Sequence, residues 1–261
     1  MCYLKVVILA GGYGTRISEE SHLRPKPMIE IGERPILWHI MKYYLSYGFD
    51  DFIICCGYKG YVIKEYFDHY FLRHSNITFD FKDNGKKYFD SNTSEPWRVT
   101  LIDTGLDTMT GGRIKRIKDF IGNECFHMTY GDGISNINLH DLIKNHKSSN
   151  NTVTLSAVHL TGRFGILNID DHTNNIIGFH EKARHDGDWI NAGFMIMEPD
   201  IFNYIDNDET ILERIPLESL SKEKKLGVYR HDGYWRCMDT QRDKYILESD
   251  WENGNAPWKI W

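Results

Sequence analysis

Three glycines in four residues, Gly11, Gly12 and Gly14, follow an apolar run near residue 10. Glycine has no Cβ, so the backbone can turn tightly there and a ligand can come close to the main chain. Two cations follow, Arg16 at once and Lys26 ten residues further on, between two prolines. Backbone N–H groups with neighbouring cations are what a chain of phosphate groups requires. The segment therefore predicts a polyphosphate-binding loop.

Two better-known glycine loops do not match this segment. A P-loop has Lys followed by Ser or Thr directly after its glycines, and no such pair follows here. A dinucleotide fingerprint that uses Gly12 and Gly14 needs a third glycine, and that position is Ile17. The next apolar run, 52–56, ends in Gly57 rather than in an acid for a ribose hydroxyl. Both mismatches favour a different kind of nucleotide-binding loop.

A candidate carboxylate, Asp132, stands between Gly131 and Gly133 directly after the apolar run 126–130. Ligands of open α/β sheets bind beyond the carboxyl ends of the strands, and flanking glycines would let this carboxylate reach one. Asp between glycines is also ordinary turn chemistry. The residues alone leave both interpretations open.

A second glycine pair, Gly111 and Gly112, is predicted to form a turn that leads into a helix with apolar residues at 114, 117, 120 and 121. Arg113 directly follows this turn, which makes it a candidate ligand contact. The basic residues at 115, 116 and 118 are interpreted instead as a solvated helix face.

The elements that must position these residues follow from the spacing of apolar positions. A strand over 6–10, a helix over 35–47, a strand over 52–56 and a helix over about 61–72 are predicted. This β-α-β-α opening indicates a parallel sheet with right-handed crossovers. Residues 82–96 are polar and rich in turn formers, and are predicted to be a surface loop.

The second half of the chain is predicted to add an antiparallel part that forms one wall of a pocket, built from 161–170, 176–182 and 190–197. Further elements are a helix to about 147, a strand over 153–159, and helices over about 199–205 and 241–252. The predicted fold class is α/β, with a Rossmann-like mixed, mainly parallel sheet flanked by helices. No linker or repeat is visible, so one domain over 1–261 is expected.

Composition excludes several function classes. With 261 residues, 41% hydrophobic and 26% charged, the chain is typical of a globular protein. Its net charge of −6 offers no general attraction to nucleic acid. No apolar run approaches the roughly 20 residues that span a bilayer, and no signal peptide is visible at the start. Five cysteines without C-x-x-C spacing favour free thiols in a reducing compartment. A cytoplasmic location is therefore expected.

The motif G-G-x-G-T-R with a following P-K-P resembles the signature of the sugar-nucleotide pyrophosphorylases, which are nucleotidyltransferases. The resemblance covers nearly the whole chain, through LAGGYGTR, RPKPM, PILWHIMK, TYGDG, GRFG, NAGF, MDT and APWKIW. Two blocks, FIICCGYKGYVIKEYF and MTGGRIKR, are more similar to the cytidylyl branch than to the others. The resemblance implies the nucleotide-diphospho-sugar transferase fold. It also implies formation of CDP-glucose and pyrophosphate from CTP and α-D-glucose 1-phosphate, as a supply for dideoxyhexoses of bacterial O-antigen.

The resemblance also implies roles for individual residues. The implied catalytic residues are Arg16, Lys26 and Asp132. The implied nucleotide-binding residues are Leu9, Ala10, Gly11, Gly12, Tyr13, Gly14, Thr15, Arg16, Lys26, Thr110, Gly111, Arg113 and Gly131. The implied sugar-phosphate residues, in and beside the antiparallel region, are Glu181, Lys182, Asn191 and Gly193. The cofactor implied is Mg²⁺, held by Asp132 and Asp239.

One departure from the resemblance concerns the sugar site. Relatives usually have Glu-Lys-Pro where this chain has Glu181-Lys182-Ala183, which leaves the geometry of that loop and the choice of hexose phosphate open. A pyrophosphorylase for another base or sugar, and a relative that binds without catalysis, are the alternatives. A nicotinamide oxidoreductase is disfavoured by Ile17 and Gly57. The tryptophan-rich tail and the resemblance predict a homo-oligomer, a trimer or a hexamer.

Overall fold

The computed structural model describes residues 4–89, 94–159, 166–170, 173–180 and 189–261. The strands are β1 (Val6–Ala10), β2 (Glu30–Ile31), β3 (Arg34–Pro35), β4 (Asp51–Cys56), β5 (Asn76–Asp80), β6 (Gly85–Phe89), β7 (Arg98–Asp103), β8 (Phe126–Tyr130), β9 (Gly133–Ser135), β10 (Val153–His159), β11 (Ile166–Ile169), β12 (Ile176–His180), β13 (Trp189–Met197), β14 (Leu226–His231) and β15 (Trp235–Cys237). The α-helices are α1 (Ser18–Ser21), α2 (Ile36–Ser46), α3 (Gly60–Asp68), α4 (Tyr70–His74), α5 (Thr110–Arg116), α6 (Lys118–Ile121), α7 (Leu139–Lys147), α8 (Ile215–Lys222) and α9 (Gln241–Glu252). Short 3₁₀ helices occupy Thr15–Ile17, Lys26–Met28 and Pro199–Tyr204. Within these ranges, no helix combines the length and the apolar character that a bilayer crossing requires.

The central sheet is mixed, with the strand order β12-β11-β13-β8-β1-β4-β7, and β10 joins β13 to β14. Strand β1 runs parallel to β4 and β8, and β7 continues the parallel part beside β4. Strand β13 is antiparallel to β8 and β10, and β11 with β12 extends that antiparallel region. The predicted fold class, an α/β sheet with an antiparallel region at one side, is confirmed.

Strand β1 is an interior strand between β4 and β8, and helices cover it on both faces of the sheet. All five of its residues are buried. Side chains at 6, 8 and 10 join an apolar cluster that includes α2, and those at 7 and 9 join a second cluster that includes α5 and α8. A strand buried on both faces must be apolar throughout. This requirement explains the continuous apolar run that precedes the glycine loop.

Two sequence predictions about local structure are wrong. Residues 82–96 are not only a loop, because β6 lies within them and pairs with β5. Asn84 turns this hairpin with a left-handed φ of 49°. Strand β6 is exposed along its whole length and its sequence, GKKYF, has no alternation of apolar and polar residues that would have revealed it. Gly111 and Gly112 do not form a turn but lie inside α5. A Cβ on them would stand 2.7 Å from the Thr210 carbonyl oxygen and 2.6 Å from that of Asp208 respectively, so close packing accounts for the glycines.

Two predicted helices differ in form from the observed ones. The segment predicted as one helix over 61–72 is divided at His69 into α3 and α4. The helix predicted over about 199–205 is a 3₁₀ helix, with Pro199 in its first turn. The helix predicted over 241–252 has the same bounds in the structure.

The C-terminal tail packs onto the body of the protein. Helix α9 begins with a capping box, in which Thr240 and Asp243 exchange side-chain and backbone hydrogen bonds. Beyond it, Trp258 is fully buried in the apolar cluster that contains α2. Its indole N–H points to Nδ1 of buried His39 at 3.4 Å. The tail therefore contributes to the apolar core of the chain itself.

Candidate active site

The glycine loop leaves the carboxyl end of β1 and carries Arg16 on its far side. Gly14 has a φ of +65°, a left-handed conformation that suits glycine. Its carbonyl accepts a hydrogen bond of 3.1 Å from the Ile17 N–H, which closes the turn. At Gly12, no described atom outside its chain neighbours lies within 4 Å of the place where a Cβ would stand. The loop therefore presents open main chain to a ligand.

Four charged side chains form one ion network beside this loop. Arg16 Nη1 lies 2.5 Å from Asp239 Oδ2, and Lys26 Nζ lies 2.7 Å from Asp132 Oδ2. Lys26 also contacts Asp239, so its ammonium lies between the two carboxylates. The side chains of Lys26 and Asp239 are each 12% exposed and that of Asp132 is 25% exposed. The predicted neighbours Asp132 and Asp239 are therefore brought together.

Backbone pairing between β9 and β15 brings the two aspartates together. Gly133 lies opposite Cys237 in this antiparallel pair. The Met238 N–H donates to the Asp132 carbonyl at 2.8 Å, which continues the pairing by one more bond. The carboxylates thus meet because a short strand after β8 and a strand near the C-terminus are neighbours.

The ion network determines the protonation of its members. Burial opposes charge on Lys26, but the attraction of Asp132 and its neighbouring anions outweighs it and raises the pKa of the ammonium above its ordinary value. Burial opposes charge on Asp239 as well, and Lys26, then Arg16, hold the pKa of that carboxyl below its ordinary range. Burial, together with the nearby Asp132, raises the pKa of the Cys237 thiol well above its usual value. At neutral pH Lys26 and Asp239 are therefore both ionised, and the Cys237 thiol stays protonated.

The donor set suits a hard divalent cation. Ligand atoms of Asp132, Cys237 and Asp239 all lie within 4.8 Å of one another. Carboxylate oxygens are the ligands that Mg²⁺ prefers, whereas a protonated thiol is a poor ligand for it. The fit therefore rests on the two carboxylates, and the Lys26 ammonium lies where such a cation would compete with it.

Two cavities meet at this network. The first, of about 430 Å³, is lined by the glycine loop, Lys26 and residues 106–110. The second, of about 620 Å³, is lined by parts of β13 and by residues that precede and begin α8. Four residues line both cavities: Arg16, Tyr130, Asp132 and Asp239. Two ligands bound side by side would therefore meet at one cation and two carboxylates.

The sequence model of the family described as Nucleotidyl transferase matches residues 5–240. That match spans the glycine loop, both aspartates and the sheet that carries them. The chain belongs to the nucleotidyl transferase family.

Two relatives named as cytidylyltransferases match nearly the whole chain, and one solved structure is similar in fold. The glucose-1-phosphate cytidylyltransferase of Salmonella typhimurium is 49% identical over 259 residues, which is 99% of this chain and 100% of the relative. The probable glucose-1-phosphate cytidylyltransferase of Bacillus subtilis is 42% identical with the same coverage. The crystal structure of HddC from Yersinia pseudotuberculosis is similar with a TM-score of 0.76 at 24% identity, over 95% of this chain and 99% of that one. This last similarity shows the fold alone.

Nearly all residues that the nucleotidyl transferase resemblance assigned to the nucleotide line the first cavity: Leu9, Ala10, Gly11, Gly12, Tyr13, Gly14, Thr15, Arg16, Lys26, Thr110, Arg113 and Gly131. Gly111 is outside this lining and faces Thr210 instead. Asn191 and Gly193 line the second cavity, and the Asn191 side chain accepts the Gly193 N–H at 2.8 Å. Glu181, Lys182 and Ala183, like the G-R-F-G block at 162–165, lie outside the described residues. The binding roles of all these residues stay predictions.

Arg113, assigned by the resemblance to the cytosine ring, is buried and holds several loops of this nucleotidyl transferase together. Its guanidinium donates to the carbonyls of Gly11 (3.1 Å), Gly105 (2.7 Å) and Leu106 (3.2 Å) and to the Thr104 hydroxyl (2.8 Å). Burial lowers the pKa of Arg113 below its ordinary value. Arg113 therefore fixes the floor of the first cavity, whatever further contact it makes with a base.

Sequence reasoning missed several residues of the two cavities. Asp107 accepts a 2.6 Å hydrogen bond from the Tyr13 hydroxyl across the mouth of the first cavity. Glu213 and Trp235 line the second. All three lie outside the glycine motifs and the strand-end turns, so no residue pattern singled them out.

Proposed function

We propose that the chain transfers CMP from CTP to α-D-glucose 1-phosphate and releases CDP-glucose and pyrophosphate. The observation that carries this proposal is the meeting of two cavities at Arg16, Asp132 and Asp239. One cavity has the open glycine loop that phosphate groups require, and the other has room for a hexose phosphate. The names of the relatives at 49% and 42% identity support the choice of base and sugar.

The reaction needs little acid–base chemistry. A phosphate oxygen of the sugar phosphate attacks the α-phosphorus of CTP, a new P–O bond forms, and the bond to pyrophosphate breaks in line with the attack. The attacking oxygen is already ionised, so no proton has to be removed from it. The site must instead hold two anions close together and stabilise the charge on the leaving group.

The cations of the network fit those two tasks. Arg16 lines both cavities, and its side chain is 73% exposed, so it can turn from Asp239 to the leaving phosphates. Lys26 is more enclosed and is proposed to bind the α-phosphate, where one P–O bond forms and another breaks. Asp132 and Asp239 would hold Mg²⁺ from two strand ends. When bound, Mg²⁺ supplies neutralisation of phosphate charge and polarises the phosphorus centre.

Pyrophosphate release tests this function. Pyrophosphate release by the full chain is measured with Mg²⁺ and glucose 1-phosphate and compared between CTP, UTP, dTTP, ATP and GTP. The same assay is then repeated with mannose 1-phosphate and galactose 1-phosphate. Release with CTP and glucose 1-phosphate above all other pairs is expected. Preference for another nucleotide would keep the phosphate chemistry and overturn the base assignment. CTP binding without release with any sugar would favour a non-catalytic relative.

Three further assignments belong to this proposal. The cofactor is Mg²⁺, and EDTA should abolish turnover, with recovery on addition of Mg²⁺. The assembly is a homo-oligomer, a trimer or hexamer, and light scattering at monomer mass would contradict it. The product is of the class that supplies dideoxyhexoses for O-antigen.

A further inference from the structure

The segment that leads into α8 is fastened to the first turn of α5. The Gly111 N–H donates to the Thr210 carbonyl at 2.9 Å, and the Leu212 N–H donates to the Thr110 hydroxyl oxygen at 2.9 Å. Leu212 itself is fully buried. The glycines of α5 leave no space between helix and segment, as described above. The segment therefore has a fixed position relative to the nucleotide cavity.

Glu213 extends from this segment to the lining of the second cavity. One carboxylate oxygen accepts a 2.7 Å hydrogen bond from the Thr110 hydroxyl, and the other accepts one from the Tyr130 hydroxyl. A carboxylate can accept about four hydrogen bonds. Two donors thus fix the orientation of Glu213, with acceptor capacity left for a ligand.

The charges of the second cavity decide which part of a sugar phosphate can face Glu213. Arg16 lies where the two cavities meet, and the Lys26 ammonium contacts both carboxylates there, which would also hold Mg²⁺. The phosphate therefore belongs at this cationic end. A carboxylate repels a phosphate, whereas it attracts the hydroxyl groups of a sugar ring. Trp235 lines the same cavity, and its indole N–H is held by the Ala192 carbonyl at 2.6 Å. The neutral ring is therefore the part that suits Glu213.

We propose that Glu213 accepts a hydrogen bond from one ring hydroxyl of the sugar phosphate and so determines sugar specificity, an inference that rests on the proposed function. Sites built to bond a substrate hydroxyl discriminate strongly against analogues that lack it, because a buried polar group is then left unpaired. Thr110 and Tyr130 act as positioning residues for this carboxylate. Thr110 thereby connects the nucleotide cavity with the sugar cavity.

The test compares glucose 1-phosphate with its 2-, 3-, 4- and 6-deoxy analogues in the wild type and in Glu213→Gln. In the wild type, kcat/KM for one analogue should fall roughly 10- to 100-fold, the effect of a hydrogen bond to a charged group. In Glu213→Gln the bond becomes neutral, so this penalty should shrink about 10-fold. The penalties for the other analogues and the KM for CTP should stay unchanged. Thermal unfolding confirms that the variant is folded.

Glu218→Gln is the matched control, because Glu218 lines the same cavity from the first turn of α8. An unchanged penalty profile in Glu213→Gln, or a penalty that shrinks in Glu218→Gln instead, would overturn the inference. A change in the KM for CTP alone would do so as well. Should the wild type release no pyrophosphate, the proposed function fails separately. The binding of glucose 1-phosphate and its four deoxy analogues, measured by calorimetry in the wild type and in Glu213→Gln, then decides the role of Glu213.

Discussion

Replacing Lys26 with Met would leave Asp132 and Asp239 beside each other without the ammonium that lies between them. Met keeps most of the volume of the side chain. Removal of one partner from a buried ion pair costs about 3–5 kcal/mol. Asp132 is 25% exposed and Arg16 still faces Asp239, so we expect a smaller loss of about 2–4 kcal/mol in the free energy of unfolding. Urea denaturation at pH 7 without divalent ions measures this loss.

Mg²⁺ makes the same variant a sharper test. In the wild type a cation must displace Lys26 from the carboxylates, whereas in Lys26→Met it meets two uncompensated charges. Mg²⁺ should therefore raise the stability of the variant more than that of the wild type, through binding to the folded state. Equal effects of Mg²⁺ on both proteins, or a variant as stable as the wild type, would refute the reasoning about this network.

Lys225→Met is the control for burial. Lys225 Nζ lies 2.9 Å from Glu223, a distance similar to that of the Lys26 pair, but its side chain is 47% exposed. Water screens an exposed pair, which therefore adds little to stability, so this variant should lose little. A loss as large as that of Lys26→Met would mean that charge removal, rather than burial, causes the effect.

The pH dependence of the Lys26→Met effect has a definite sign. Lys26 lowers the pKa of Asp239, so the pair stabilises the fold above the unfolded pKa of Asp, about 3.9, and the stabilisation is lost as the pH falls through the folded value. The difference in stability between wild type and variant should therefore be constant from about pH 5 to 8 and shrink toward pH 3. A difference that grows on acidification would contradict the assignment.

Four other substitutions test separate features. Asp132→Asn should lower turnover by roughly 100-fold or more without unfolding the protein, and unchanged activity would remove Asp132 from the mechanism. The structure has space for a Cβ at Gly12, so Gly12→Ala should weaken CTP binding while the free energy of unfolding changes by less than about 1 kcal/mol. In Gly112→Ala the new Cβ would stand 2.6 Å from the Asp208 carbonyl oxygen, so this variant should lose about 1–3 kcal/mol in the free energy of unfolding. Burial lowers the pKa of His127 to about 3, so the folded state resists its protonation. From pH 7 to pH 5 the free energy of unfolding of the wild type should therefore fall by about 2 kcal/mol relative to that of His127→Leu, measured by urea denaturation. Equal dependence on pH in the two proteins would show that His127 is not the cause.

Short-range sequence patterns correctly predicted those helices and strands that a nearby cap or a run of apolar residues marks. The helix to about 147 begins at Leu139 after Asn138, whose side chain caps it. The strand over 153–159 has the predicted bounds. The pairing of Asp132 with Asp239 required the family resemblance, because it results from strands β9 and β15, which are distant in sequence. No local periodicity encodes such a contact.

Tertiary packing also explains the misread glycine pair. Glycine costs about 1 kcal/mol in a helix relative to Ala, so Gly111 and Gly112 indicated a turn. The segment 208–210 packs so closely on α5 that only glycine fits there. Arg113 likewise has main-chain carbonyls among its partners, and backbone atoms leave no residue pattern to recognise. The position of Glu213 depends on the contact between α5 and the chain that leads into α8, so its place in the site could not be found before the fold was known.

The last twenty-one residues affect how this chain can be cut, joined or redesigned. The family match ends at residue 240, yet Leu247 and Trp258 are fully buried in one apolar cluster with β1. Trp251 also packs directly on Gly32, in the hairpin that follows the Lys26 turn. A truncation or a fusion junction placed at the family limit would therefore divide one cooperative unit and loosen the support of the phosphate-binding lysine. Insertions and circular permutations should avoid this segment. Substitutions in it and in the β2–β3 hairpin should be selected together.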